Sequence, residues 1–191
     1  MSSADAPLRR AFVAVVPPDE VVDAISSLVP RESSRLMQWT NPTRWHISID
    51  FLGRISNADI FTQDLAARLA ELDPFTIRLR GAGAFTDARR AEVFWLGVED
   101  AECGLRAAHL LVLETARDYG LRIAPQIFRP HLTLARLSRK ADLRPDIAAL
   151  ERVAIGDPWL VEGLSFLEAP KPGGGRGRDP YRHVSTLRLK S

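Results

Sequence analysis

The alternation of apolar and polar residues singles out two stretches of this chain. Trp45-His46-Ile47-Ser48-Ile49-Asp50-Phe51-Leu52-Gly53 and Arg129-Pro130-His131-Leu132-Thr133-Leu134-Ala135-Arg136 both read His-apolar-hydroxyl-apolar. A period of two is the period of a strand, in which residues i and i+2 share a face. His46 therefore shares a face with Ser48, and His131 with Thr133. Ile47, Ile49, Leu132 and Leu134 turn to the core. The strand rise separates each histidine from its hydroxyl by roughly 6.6 Å, so one phosphate group can touch both. Pro130 suits a strand start and biases Arg129 toward an extended backbone.

The remaining pattern alternates between strand and helix signals. The valine-rich run Ala11–Val16, stopped by Pro17-Pro18, predicts a buried strand with Phe12 in the core. From Asp19 to Val29 apolar residues recur at helical spacing, and Pro30 ends the stripe. Residues 31–44 read as a loop. A helix is expected from about Asn57 to Leu72, capped by Ser56, with Asp59 close to a capping-box position. Phe75–Arg80 and Val93–Val98 read as an antiparallel pair, loosened after Arg80 by Gly81 and Gly83. Leu105–Tyr119 predicts a helix stopped by Gly120. Asp142–Ala154 predicts another, with Asp142 as cap and Pro145 in its first turn. Trp159–Leu167 and Tyr181–Leu189 read as strands, and Gly173–Arg178 as a flexible basic loop. Each motif strand follows a helix-and-loop lead-in and precedes a helix, which makes a weak internal repeat. The expectation is an α+β fold in one domain over residues 1–191. It has two pseudo-symmetric lobes, each an antiparallel sheet backed by helices, with the histidine faces meeting in a central cleft.

Composition narrows the setting more than the chemistry. A chain of 191 residues can bury a core without disulfide or metal staples. Its 46% hydrophobic and 26% charged content is that of an ordinary globular protein. A net charge of +2 permits an anionic ligand without establishing one. Cys103 stands alone, so no intrachain disulfide forms, and a reducing, cytoplasmic setting is expected. Residues 2–8 read as a frayed leader rather than a signal peptide. No apolar stretch of about 20 residues exists to span a membrane. A monomer is the default.

Two imidazoles facing one pocket suit phosphoester cleavage without a metal. An ordinary histidine pKa of about 6.5 lets one ring be neutral and the other protonated near neutral pH. The neutral ring takes a proton from water and the charged ring gives one to the leaving oxygen. Ser48 and Thr133 can donate hydrogen bonds to the non-bridging phosphate oxygens. A single strand histidine is most often structural, but the doubled pattern argues against that here. Zinc is a poor fit: no third histidine has ligand spacing. A serine nucleophile lacks its Gly-x-Ser-x-Gly turn, and no helix follows Gly173–Gly177 to make a phosphate loop. His109 falls in a helix with no hydroxyl two residues on. His183 precedes Ser185, but its thin apolar context reads as structural.

These motifs resemble those of the RNA 2′,3′-cyclic phosphodiesterases of the two-histidine phosphoesterase superfamily, often described as 2′-5′ RNA ligases. The likeness includes Arg10–Val15, the stretch from Trp39 through His46-Ile47-Ser48-Ile49 to Phe51-Leu52-Gly53, Gly83-Ala84-Phe85, Val93–Gly97 and Arg129–Arg136. It implies a bilobal α+β fold with an open cleft, no cofactor, and RNA ends or nucleotides bearing a 2′,3′-cyclic phosphate as substrate. It implies His46 as general acid toward the 3′ oxygen and His131 as general base on water. Ser48, Thr133 and Arg136 then contact phosphate, and Phe12 stacks on a base. The alternatives are 2′-5′ RNA ligation by the same residues, and a non-catalytic binder of RNA ends or nucleotides. Ser48 replaces a commoner threonine. By strict alternation Asp50 faces the His46 side, where it would raise that ring's pKa. By the same rule Arg136 points away from the cleft unless a bulge redirects it.

Overall fold

The computed structural model describes residues 8–28, 35–123, 127–170 and 181–191. In chain order the strands are β1 (Leu8–Val15), β2 (Met37–Trp39), β3 (Ile47–Ile55), β4 (Phe75–Phe85), β5 (Ala91–Glu99), β6 (His131–Ala141), β7 (Ala154–Val161), β8 (Gly163–Glu168) and β9 (Arg182–Arg188). The helices are α1 (Asp19–Leu28), α2 (Ala58–Leu69), α3 (Gly104–Asp118) and α4 (Arg144–Leu150).

Among the described residues all nine strands join one sheet in the order β7-β4-β5-β6-β3-β1-β8-β9, with β2 also pairing to β6. The pairings are antiparallel throughout. The sheet therefore has two halves, and the two motif strands are its inner edges. They meet through the single registered pair Ile47↔Leu132. Helices cross the junction: α1 follows β1 of one half but packs on β7 of the other, and α3 follows β5 but packs on β3 and α2.

One face of the sheet carries the main core. Phe61, Leu65 and Leu69 of α2, and Leu105, Ala108, Val112 and Ala116 of α3, recur at helical spacing and are buried against Val13, Ile47, Ile49 and Leu132. The opposite face carries a smaller cluster of Phe12, Ala14 and Leu167, flanked by Tyr181. Strand β1 is thus buried on both faces, as its unbroken apolar run requires.

Several elements differ from the sequence expectation for local reasons. Met37–Trp39 is a short strand, because β6 outruns β3 and leaves an edge for it to pair with. Strand β4 runs through Gly81, which takes φ +71 and absorbs one extra residue as a bulge instead of ending the strand. Trp159–Leu167 is two strands that part at Glu162, and the preceding helix closes at Leu150 because the chain re-enters the sheet at Ala154. Ser56 does not cap α2: Asn57 does so in a left-handed conformation, without a side-chain bond. Gly120, at φ +67, follows α3 as expected. Of the expected leader at residues 2–8, Leu8 instead opens β1, and the rest, like the glycine-arginine loop, lies outside the described residues. Among the described residues no helix is long and apolar enough to cross a membrane.

Candidate active site

His46 immediately precedes β3 and His131 opens β6. Because Ile47 pairs with Leu132 in antiparallel register, one step either way sets His46 across from Thr133 and Ser48 across from His131. All four side chains share the face opposite the fully buried Ile47 and Leu132. Directly opposite Cβ atoms on such a face lie about 4.5–5.5 Å apart and diagonal neighbours roughly 7–8 Å. The single central pair of the sheet thus converts two separate motifs into one quadrilateral of two imidazoles and two hydroxyls.

Each imidazole is held in the same way. Nδ1 of His46 donates to the Arg44 carbonyl at 2.8 Å, and Nδ1 of His131 donates to the Arg129 carbonyl at 2.8 Å. That bond fixes the proton on Nδ1 and leaves Nε2 for chemistry. The signal for this was in the sequence, as a repeated Arg-x-His that the hydroxyl pattern overshadowed. Each ring also sits in an aromatic cradle. Tyr181 meets His46 edge-on at 5.0 Å, and Phe85 meets His131 edge-on at 4.9 Å. Phe12 lies tilted at 5.1 Å from His46, and Trp95 tilted at 5.9 Å from His131. The Arg44 guanidinium stands 4.6 Å over the Tyr181 ring.

Burial is the main reason both histidines hold their protons less tightly than an ordinary imidazole. The charges of Arg44 and His131 push His46 further down, and those of Arg129 and Arg136 push His131 down. The carbonyl bonds partly offset this. Among the described residues no carboxylate contributes to either shift, so the local field favours an anionic ligand.

Two matched bulges decide which neighbours face the site. In β3 the register changes between Val13↔Asp50 and Ala14↔Ser48, which leaves Ile49 as an extra residue. In β6 it changes between Phe94↔Ala135 and Trp95↔Thr133, which leaves Leu134 extra. Each bulge falls three residues after its histidine, and beyond it the alternation is reversed. Arg136 is thereby turned onto the His131 face, against strict alternation. Asp50 is turned away, which corrects the expectation that its charge acts on His46. Asp50 is buried on the helix side, where Oδ2 accepts a 2.6 Å bond from Nδ1 of His109.

Phe12 lies in the core, as the apolar run of β1 predicts. It is 0% exposed, covered by His46, Tyr181 and Phe51, so its ring has no free face for a base. The exposed ring at this corner is Phe51, stacked on Phe12 at 5.4 Å and 60% exposed. Counted from the histidine and through the bulge, Phe51 holds in one half the place that Arg136 holds in the other.

The antiparallel sheet with two facing His-x-Ser/Thr pairs defines a two-histidine phosphoesterase fold. A family profile described as the 2′-5′ RNA ligase superfamily matches residues 17–171. The chain belongs to that superfamily. It is 31% identical over 129 residues, 65% of this chain, to an RNA 2′,3′-cyclic phosphodiesterase of Geobacillus stearothermophilus, and the match spans 41% of that relative's length. It is 29% identical over 160 residues to an RNA 2′,3′-cyclic phosphodiesterase of Methanothermobacter thermautotrophicus, covering 80% of this chain and 86% of that one. The apo crystal structure of LigT from Escherichia coli shares the fold with a TM-score of 0.76, at 22% identity over 97% of this chain and all of that one.

Proposed function

We propose that this chain hydrolyses the 2′,3′-cyclic phosphate of RNA ends or nucleotides to a 2′-phosphate, without a metal. The observation that carries this reading is the pair of imidazoles on one face, each with Nδ1–H tied to a carbonyl and Nε2 left for the substrate. The phosphate sits over the quadrilateral, with Ser48 and Thr133 donating to its non-bridging oxygens and the Arg136 guanidinium adding a charged contact. His131 Nε2 accepts a proton from water as the water oxygen bonds to phosphorus. His46, protonated on both nitrogens, gives its Nε2 proton to the departing 3′ oxygen. The P–O3′ bond breaks, the 2′ ester remains, and the protons redistribute through solvent. Each such transfer contributes about 10²–10⁴-fold.

The lowered pKa of His46 sets a requirement on this scheme. The acid must hold its proton when substrate is bound, and the negative charge of the cyclic phosphodiester supplies that by favouring the imidazolium. Ligation uses the same residues in reverse, but needs a second RNA end where water at about 55 M competes by mass action.

The test is turnover of a nucleoside 2′,3′-cyclic phosphate in EDTA, with the product identified by phosphorus NMR. The expected result is release of the 2′-phosphate, lost by at least 100-fold in His46→Ala and in His131→Ala, on the scale of one proton transfer. Binding without turnover in the wild-type protein would make the chain a binder of RNA ends.

A further inference from the structure

We propose that His109 is a positioning residue that locks the two motif segments to each other from beneath the sheet. The proposal rests on the phosphodiesterase reading for its kinetic arm only. His109 belongs to α3 and is 8% exposed, and Asp50, its partner on β3, is 1% exposed. The Nδ1–Oδ2 distance is 2.6 Å. The His109 ring also meets Phe128, stacked nearly parallel at 4.3 Å and 8°. Phe128 immediately precedes Arg129, the residue whose carbonyl receives Nδ1–H of His131.

A continuous path therefore runs from the first motif to the second. Asp50 lies just past the bulge that follows His46 and Ser48. Its carboxylate grips His109, the imidazole carries Phe128 on its face, and the next residue holds the His131 ring. The two motif strands otherwise meet through a single registered pair. A rigid tie between them matters because the chemistry needs both Nε2 atoms placed on one phosphate, and a misplacement of about 1 Å can cost 10²-fold in rate. Stability alone is a weak reason to keep this pair: replacing both partners of a buried hydrogen bond with apolar groups of the same shape can be nearly neutral or stabilising. Its placement between the two motifs gives it a purpose that packing does not.

The experiment compares Asp50→Leu/His109→Leu with Asp50→Asn. The leucine pair keeps the site apolar and filled but removes both the bond and the ring under Phe128. Asp50→Asn keeps an oxygen to accept from His109. Thermal melting, kcat and KM on a nucleoside 2′,3′-cyclic phosphate, and the nitrogen NMR spectrum of the His131 ring near pH 8 are read together. The expected result for the leucine pair is melting within a few degrees of wild type, kcat lowered about 10- to 100-fold, KM within about threefold, and a His131 ring no longer confined to the Nδ1–H tautomer. Asp50→Asn is expected to keep both the tautomer and most of kcat. A leucine pair that folds and keeps the wild-type His131 tautomer overturns the proposal. So does a loss that Asp50→Asn shares in full. If the leucine pair does not fold, Asp50→Asn and His109→Phe, which keeps the stack but not the bond, decide by the same NMR readout. A wild-type protein without turnover would sink the phosphodiesterase reading and leave the tautomer test standing.

Discussion

The aromatic rings beside His46 divide into support and surface. Phe12 is fully covered and packs against His46, whereas Phe51 stacks on Phe12 and is itself exposed. Stacking on a base is worth about 1–3 kcal/mol, and only the exposed ring has a face to offer. Phe51→Ala is therefore expected to raise KM for a cyclic nucleotide several-fold or more with kcat nearly unchanged. Phe12→Ala is expected to lower the melting temperature, since emptying a buried phenylalanine site costs about 3–5 kcal/mol, and to lower kcat by loosening His46. Steady-state kinetics with thermal melting checks both, and an unchanged KM in Phe51→Ala counts against a base at that ring. The sequence showed the histidines and hydroxyls because alternation displays them directly. It could not show that Phe12 is covered on its cleft side, because that depends on Tyr181, which reaches it from far along the chain.

At the scale of elements, the bulges in β3 and β6 separate what was legible from what was not. Both strands were readable from their period, and the need for a bulge before Arg136 followed from its wrong parity. The matching bulge at Ile49 was not visible, because an aspartate one position from a phenylalanine satisfies either phase. Only the buried partner His109 on α3 decides it. Strand β4 shows the same limit, since its glycines suggested an end while the structure uses them inside the strand. Gly83 lies beneath Trp95, and a Cβ there would fall 2.2 Å from the indole ring. Gly83→Ala must therefore displace the ring that lies against His131 and Phe85. Overpacking of this kind costs about 1–3 kcal/mol. The variant is expected to melt lower and turn over more slowly than wild type. Wild-type melting and kcat together would mean that Trp95 does not hold His131 in place.

The whole molecule brings two halves of one sheet together at their motif strands, with helices exchanged across the junction and one imidazole from each half on the shared face. The doubled motif made this arrangement legible as a whole, because similar strands in similar contexts imply similar halves. The exchange of α1 and α3 was not legible, since nothing in a helix's own stripe says which half it covers. The division of labour between the two rings is what pH dependence reads. Burial and neighbouring positive charge lower both pKa values, so the kcat/KM bell of the free enzyme is expected to centre below the ordinary histidine value of about 6.5. Substrate charge raises both pKa values again, so the kcat bell lies at higher pH than the kcat/KM bell. The most direct measurement is the kcat/KM profile of wild type beside the residual activity of His46→Ala and His131→Ala. The expected result is a bell for wild type, loss of the alkaline limb without the acid, and loss of the acidic limb without the base. A flat wild-type profile, or two variants that keep the same bell, would contradict a shared site in which one ring gives a proton and the other takes one.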